Sequence, residues 1–372
     1  MNEFTSTNTC STHNPSSTPS NNNINKTIKT INDEYQLPSF TIKSKQIYQF
    51  QKDGYTVFPT FFHESFVDIL NERLEYVLRG IYNTGIKPDK YPKVVKLPLP
   101  QHLKSNSNSS FSSNHHTNTT SSTKAKNNNN NSDKKAAPPL GYSGNKSSQN
   151  KVLQIINIHK SDSYFHQLIS TPSLGYIVSK LMNWSCGARL AQDQIWAKPP
   201  YASPLAYHRD SPYFMFHPND VCTVWITFDD LDSENLGPLV YVKGSHLWGE
   251  GRVGSAQNFF QNDGGMSLLY NAAEQSGISR ETLEFISMKG LKKGGISVHN
   301  GRTWHGSGGN TTDHPRRGIG LHFVPADVKW TIDAMKSRIW RRYVQDVVEN
   351  GGSEDDVRSI KVDEKDFPII YR

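Results

Sequence analysis

At about Arg189 the sequence changes rhythm, and the change restricts the chain to a small set of architectures. Residues 190–198 alternate in character, and 221–228 are rich in β-branched and aromatic residues. Short apolar runs at 239–242, 296–299 and 318–324 are bounded by Gly or Pro. Upstream the spacing is helical. Phe66, Ile69, Leu70, Leu74, Val77 and Leu78 recur at three- and four-residue steps, which predicts an amphipathic helix closing at Gly80. A helix over 47–52 is stopped by Asp53-Gly54 and followed by a strand over 55–58 that Pro59 ends. Two more helices are predicted over 163–170 and 172–182, the second with proline in its first turn. Helical segments return over 266–285 and 333–349. Helices first, then many strands, with no internal repeat, predict an α+β chain around an all-β core: an antiparallel sandwich or barrel flanked by helices.

Two stretches lack the apolar density that would offset the entropy of ordering them. Residues 1–35 form a polar tail and residues 105–149 an Asn/Ser-rich insert, both expected to be disordered. What remains of 36–372 is expected to be one domain, about 290 residues with ample material for a single large core. The net charge of +7 looks at first like a nucleic-acid signal. Yet over 1–40 and 101–150 Lys26, Lys29, Lys104, Lys124, Lys126, Lys134, Lys135 and Lys146 face only Glu3, Asp33, Glu34 and Asp133, so +4 of the charge sits outside the expected fold. No nucleic-acid partner is expected. Cys10, Cys186 and Cys222 are too few and too scattered for a disulfide framework. With no apolar leader and no run near the ~18 residues of a membrane span, the chain is expected to be soluble and cytoplasmic.

His208-Arg209-Asp210 is the first segment that reads as chemistry. Residues two apart on an extended segment point the same way, so this imidazole and carboxylate could hold one cation from adjacent corners. His305, in the loop-forming context Gly306-Ser307-Gly308-Gly309, is the natural third donor. Two histidines and one carboxylate leave three positions of an octahedron open, which suits iron(II) oxygenases, whereas zinc hydrolases need one. In a chain with 14 His a His-x-Asp triplet arises about once by chance, so the triplet alone decides nothing.

Its company decides more. Phe50-Gln51-Lys52-Asp53-Gly54-Tyr55, Gln192-Asp193-Gln194, Lys198-Pro199-Pro200 and Tyr207-His208-Arg209-Asp210 come first. Thr223-Val224-Trp225-Ile226, Gly237-Pro238-Leu239 and Gly244-Ser245-His246 follow, and the series closes with Trp304-His305-Gly306-Ser307-Gly308 and Pro315-Arg316-Arg317. In this order and spacing the chain resembles the phytanoyl-CoA dioxygenase family of iron(II)- and 2-oxoglutarate-dependent oxygenases. The resemblance implies a double-stranded β-helix, with His208, Asp210 and His305 as iron ligands. It implies that Arg316, eleven residues after His305, holds the far carboxylate of 2-oxoglutarate, chemistry that suits a guanidinium fork. Gln194, Trp225, Ser307 and Lys151 are implied to line the cosubstrate site, and His246 to be structural. His299 and His322 are not expected to bind iron, although His299 stands where the family usually has an apolar or aromatic residue. Gly294-Gly295 departs from the family's usual Gly-Asp before the strand leading to the distal histidine.

The activity implied is hydroxylation of an unactivated C–H bond of a small organic or acyl substrate, with O2 as second cosubstrate, succinate and carbon dioxide as co-products, and ascorbate as an optional reductant. The intact Asp210 implies oxygenation rather than halogenation. The alternative is a β-helix protein that binds a ligand without turnover or takes a different metal. Peroxisomal residence finds no support in the terminal Ile370-Tyr371-Arg372.

Overall fold

The structure is a computed structural model that describes residues 41–92, 151–249, 254 and 264–372. The predicted tail at 1–35 and insert at 105–149 lie outside the described residues. Its first elements are α1 (Ser44–Asp53), β1 (Tyr55–Phe58), α2 (Glu64–Val77), β2 (Leu153–Ile156), α3 (Ser163–Ile169) and α4 (Pro172–Met182). The predicted period of α2 is its buried face: Phe66, Val67, Leu70, Leu74 and Val77 are covered. Gly54 ends α1 at φ 83°, a conformation that costs glycine little. A Cβ there would also meet His246 Nδ1 at 2.5 Å and Thr303 Oγ1 at 2.6 Å. The Gly54 carbonyl accepts from Thr303 Oγ1 at 2.9 Å, and His246 Nε2 donates to the Gln51 carbonyl at 3.0 Å. This helix-turn-strand therefore braces the loop that leads to His305.

The strands continue as β3 (Ala188–Lys198), β4 (Leu205–His208), β5 (Phe216–His217), β6 (Cys222–Thr227), β7 (Leu239–Val242), β8 (Phe285–Ser287), β9 (Ile296–Asn300), β10 (His305–Ser307), β11 (Arg316–Pro325), β12 (Lys329–Trp330) and β13 (Ile369–Tyr371). The larger sheet has the order β1-β9-β6-β11-β3-β13, and β2 also pairs with β3. β3 can carry both because it is long: β2 pairs with residues 194–197 and β13 with 188–189, on the edge opposite β11. The smaller sheet has the order β4-β10-β7-β8, and both sheets are antiparallel. β6 is buried at every position, as a β-branched and aromatic strand between two neighbours should be. The α+β expectation with an all-β core is met: two curled antiparallel sheets enclose a cavity, with the helices outside. Among the described residues no helix is long and apolar enough to cross a membrane.

Two predicted helices are shorter than their spacing suggested. Over 266–285 only Met266–Gln275 is α-helical, and Phe285–Ser287 instead becomes β8, hydrogen bonded to β7. Over 333–349 the chain makes 3-10 turns at Ile332–Lys336 and Arg341–Tyr343 before a short helix, Gln345–Glu349. Ser337 turns extended at φ −109°, ψ 127°, which lets Trp340 and Tyr343 enter an aromatic core with Phe216, Trp330 and Phe367. Tertiary packing overrides the helical period there.

That core backs the cavity wall. Trp340 Nε1 donates to the Tyr213 carbonyl at 2.9 Å, and its ring lies 5.6 Å from those of Tyr213 and Phe214. Replacing Trp340 with alanine is expected to cost about 3–5 kcal/mol, seen as a lower denaturation midpoint at unchanged slope. A loss below about 1 kcal/mol would show that the C-terminal segment does not share the cooperative core.

Candidate active site

His208 ends β4 and His305 begins β10, and the register sets the two directly opposite each other. Their ring centroids are 4.2 Å apart. Each ring is oriented from behind by a carbonyl: His208 Nδ1 donates to Ala206 O at 2.8 Å and His305 Nδ1 to Thr303 O at 2.9 Å. Carbonyl oxygens only accept, so the proton of each neutral ring sits on Nδ1 and the Nε2 lone pair faces inward. Both Nε2 atoms lie 3.7 Å from Asp210 Oδ1. One ligand atom from each of the three residues falls within 4.8 Å of the others, all buried. Burial, and then the neighbouring His305, push His208 down to about 3, so its ring is neutral at neutral pH.

Asp210 is held by its other oxygen. Oδ2 accepts from Thr223 Oγ1 at 2.7 Å and from His299 Nε2 at 3.0 Å. The single Thr223 proton is used there, so His322 Nδ1, 2.9 Å from Thr223 Oγ1, must be the donor in that contact. His299 is fixed from behind: its Nδ1 accepts from Tyr241 Oη at 3.1 Å, and Tyr241 lies 2.8 Å from Ser297 Oγ. Burial alone would raise the Asp210 carboxyl, but the electrostatic influence of the neighbouring His305 and His322 rings and the hydrogen bonds of His299 and His322 outweigh it and hold the group well below the usual range. His299, whose ring also lies 4.4 Å from that of His305, and His322 thus stand on the side of the outer carboxylate oxygen of Asp210. Changing His299 to phenylalanine strips Oδ2 of one donor and is expected to weaken binding of a metal ion by these three residues about 10- to 100-fold, the usual scale for loss of such a supporting partner. Unchanged affinity in a metal titration would show that Thr223 alone fixes the carboxylate.

The same cavity reaches Arg316 at the start of β11. Strand alternation sends Arg317 the other way, onto Asp229, with Nη2–Oδ1 at 2.5 Å and Nε–Oδ2 at 3.1 Å. Arg316 is 2% exposed and, among the described residues, has no carboxylate within 4 Å. Its Nη2 is 3.5 Å from Ser307 Oγ, its guanidinium lies 5.7 Å from the Trp225 ring centroid, and its Nε has no hydrogen-bond partner among the described residues. Burial pushes it down to about 10, so it keeps its charge at neutral pH. A buried guanidinium without a counter-ion is a site for an anion. Two imidazole nitrogens and a carboxylate oxygen lining the same cavity are a donor set that fits a divalent transition ion.

Gln194, Trp225 and Ser307 also line this cavity. Gln194 is steadied at both ends, accepting from Gln154 Nε2 at 2.9 Å and donating to Gln192 Oε1 at 2.6 Å. Lys151 is placed elsewhere: it is exposed, ahead of β2, and does not line the cavity. The buried lysine near Ser307 is instead Lys198, whose Nζ donates to Ser307 Oγ at 2.8 Å and to the Gly308 carbonyl. Its signal was present in the alternation, since Gln194, Trp196 and Lys198 occupy one face of β3. The Gly294-Gly295 departure has a steric reason. Gly294 has φ 82°, and a Cβ at Gly295 would sit 2.7 Å from the Pro59 carbonyl, so aspartate would not fit this turn.

The family model for phytanoyl-CoA dioxygenase (PhyH) matches residues 50–318, from α1 to just beyond Arg316. The chain belongs to the phytanoyl-CoA dioxygenase family. The family's metal is iron(II) and its cosubstrate 2-oxoglutarate, as the sequence led us to expect, and the protein is an oxygenase of the 2-oxoglutarate-dependent type. Among solved structures it is similar to SnoN, a non-heme alpha ketoglutarate dependent epimerase of nogalamycin biosynthesis, at 15% identity over 88% of this chain and 98% of that one, with a TM-score of 0.54. A second SnoN structure, in complex with Fe3+, alpha ketoglutarate and nogalamycin RO, aligns at 15% identity over 88% and 97%, with a TM-score of 0.53. SnoK, a carbocyclase of the same biosynthesis, aligns at 17% identity over 80% and 91%, with a TM-score of 0.51. At these identities the likeness shows the fold. No curated protein matches the sequence.

Proposed function

We propose that this phytanoyl-CoA dioxygenase family member hydroxylates an unactivated C–H bond of a small organic or acyl substrate, consuming O2 and 2-oxoglutarate and releasing succinate and carbon dioxide. One observation carries the reading: a ready set of three metal donors and a buried guanidinium without a counter-ion share a single cavity.

In this reading His208, Asp210 and His305 hold iron(II), and Arg316 takes the distal carboxylate of 2-oxoglutarate beside Ser307 and Trp225. When bound, iron(II) and 2-oxoglutarate would supply the electrons that activate dioxygen, the oxidant of the reaction. The chain's own residues prepare the site. Thr223 and His299 occupy the outer oxygen of Asp210, so that Oδ1 is the one presented to the cavity. Phe214, Trp196, Leu205 and Leu239 give the cavity apolar walls that limit water near a reactive centre. Tyr213, also in the wall, is pushed by burial up to about 12, so its phenol keeps its proton. The intact Asp210 supports oxygenation over halogenation.

The test is incorporation of labelled oxygen. Iron-loaded protein, 2-oxoglutarate and a panel of small organic acids, amides and acyl thioesters are incubated under 18O2. A product heavier by one 18O atom supports hydroxylation. A product lighter by two hydrogens, or an isomer of unchanged mass, made at the cost of 2-oxoglutarate would replace hydroxylation by desaturation, ring closure or epimerisation.

A further inference from the structure

Lys198 lies directly across from Arg316 in the β3–β11 register. Opposed residues on an antiparallel pair stand side by side, and like charges at such positions repel. Here the repulsion is internal to the protein: Lys198 is fully buried and Arg316 nearly so. Asp229, whose field reaches Arg316, is already paired to Arg317. Among the described residues no carboxylate lies within 4 Å of Lys198, and the charged group acting on it is Arg316. Burial, and then Arg316, push the lysine well below its ordinary range. A fold that only needed to be stable would gain by replacing such a pair with apolar residues.

The hydrogen bonds around Ser307 show what the arrangement is set up to do. An ammonium and a guanidinium have donors and no acceptors. Lys198 Nζ, at 2.8 Å, therefore donates to Ser307 Oγ, and so does Arg316 Nη2, at 3.5 Å. With the lysine protonated, the form that an anion in this cavity favours against the downward push of burial, neither can receive the Ser307 hydroxyl proton, which then points into the cavity that Ser307 lines. The carbonyl of Gly308 takes a second Lys198 proton, and Asn310 ties down the end of β3 by donating to Pro199 O at 3.1 Å and to His314 O. The lysine is thus locked behind the serine with its charge aimed at the same spot as the guanidinium.

Building on the cosubstrate reading of Arg316, we propose that Lys198 is a positioning residue for the distal carboxylate of 2-oxoglutarate: it turns the Ser307 hydroxyl toward that carboxylate and adds a second positive charge behind it. The anion relieves the repulsion between the two cations, so the pair favours 2-oxo acids with a distal carboxylate over those without one.

The experiment measures affinity, not turnover. Iron(II)-loaded protein under argon is titrated calorimetrically with 2-oxoglutarate and with 2-oxopentanoate, which has the same five-carbon chain but no distal carboxylate. Wild type is expected to favour 2-oxoglutarate. Lys198→Met is expected to lose about 10- to 100-fold of 2-oxoglutarate affinity, the scale of a hydrogen bond to a charged group, with 2-oxopentanoate unchanged. Adding Ser307→Ala to Lys198→Met should cost less than Ser307→Ala costs in wild type, because the serine acts through the lysine. Equal weakening of both ligands, or of neither, reduces Lys198 to a structural role and overturns the proposal. If wild type binds the two ligands equally, the cosubstrate reading of Arg316 itself falls, and Lys198 with it.

Discussion

Replacing Arg316 with leucine is expected to raise the 2-oxoglutarate concentration for half-saturation about 30- to 1000-fold, the range for removing one partner of a buried, hydrogen-bonded charge pair. Iron affinity should be nearly unchanged. The effect is large because the guanidinium sits only 2% exposed, where a bidentate carboxylate contact is worth most. Leucine restores part of the volume, so the loss reports charge and hydrogen bonds more than packing. Arg317 is the internal control: it faces Asp229 at 2.5 Å, outside the cavity lining. Arg317→Leu should lower stability and leave the 2-oxoglutarate requirement near wild type. Titrating both variants with 2-oxoglutarate at fixed iron separates the two arginines. A reversed pattern would move the anion site to the other face of β11.

Removing a metal donor should do still more. His208→Ala is expected to weaken iron binding by at least about 100-fold, beyond the range for losing a supporting partner such as His299. The imidazole it deletes is held neutral by burial, at about 3, and oriented by Ala206 O, so the lone pair pays little to meet a cation. Competition with a fluorescent chelator checks this. Iron affinity within a few-fold of wild type would show that the metal sits away from the triad. Thermal melting of the chelator-treated variant guards against misreading a folding defect.

Part of the site was legible in short spacings. His208 and Asp210 come together as the two-residue spacing led one to expect, although the extended segment ends at His208 and Asp210 turns helical at φ −81°, ψ −44°. His305, expected in a glycine-rich loop, begins β10. The choice between Arg316 and Arg317 follows from alternation along one strand. Other features depend on pairing between distant segments, which periodicity does not encode. Nothing local to His299 announces that it hydrogen-bonds a carboxylate 89 residues away. Alternation puts Lys198 on one face of β3 with Gln194 and Trp196, but its partners appear only once β3 is set against β11 and Ser307 of β10 is brought to its Nζ. Lys151, which the resemblance implies to line the cosubstrate site, follows directly on the 105–149 insert, and the structure leaves it exposed. The same limit explains 333–349: the spacing is helical, but Trp340 and Tyr343 gain more by entering the aromatic core against Trp330 and Phe367.

The central claim is that this chain couples iron and 2-oxoglutarate to dioxygen at His208, Asp210 and His305. Slow decarboxylation of 2-oxoglutarate without a primary substrate makes it testable before the substrate is known. Protein loaded with iron(II) under argon is mixed with 2-oxoglutarate, air is admitted, and succinate is quantified for wild type and His208→Ala. Succinate that requires iron, O2 and His208 is the predicted result. Absence of succinate, together with failure of the wild type to bind either iron or 2-oxoglutarate in a direct titration, would contradict the account and leave a β-helix protein that binds its ligand without turnover.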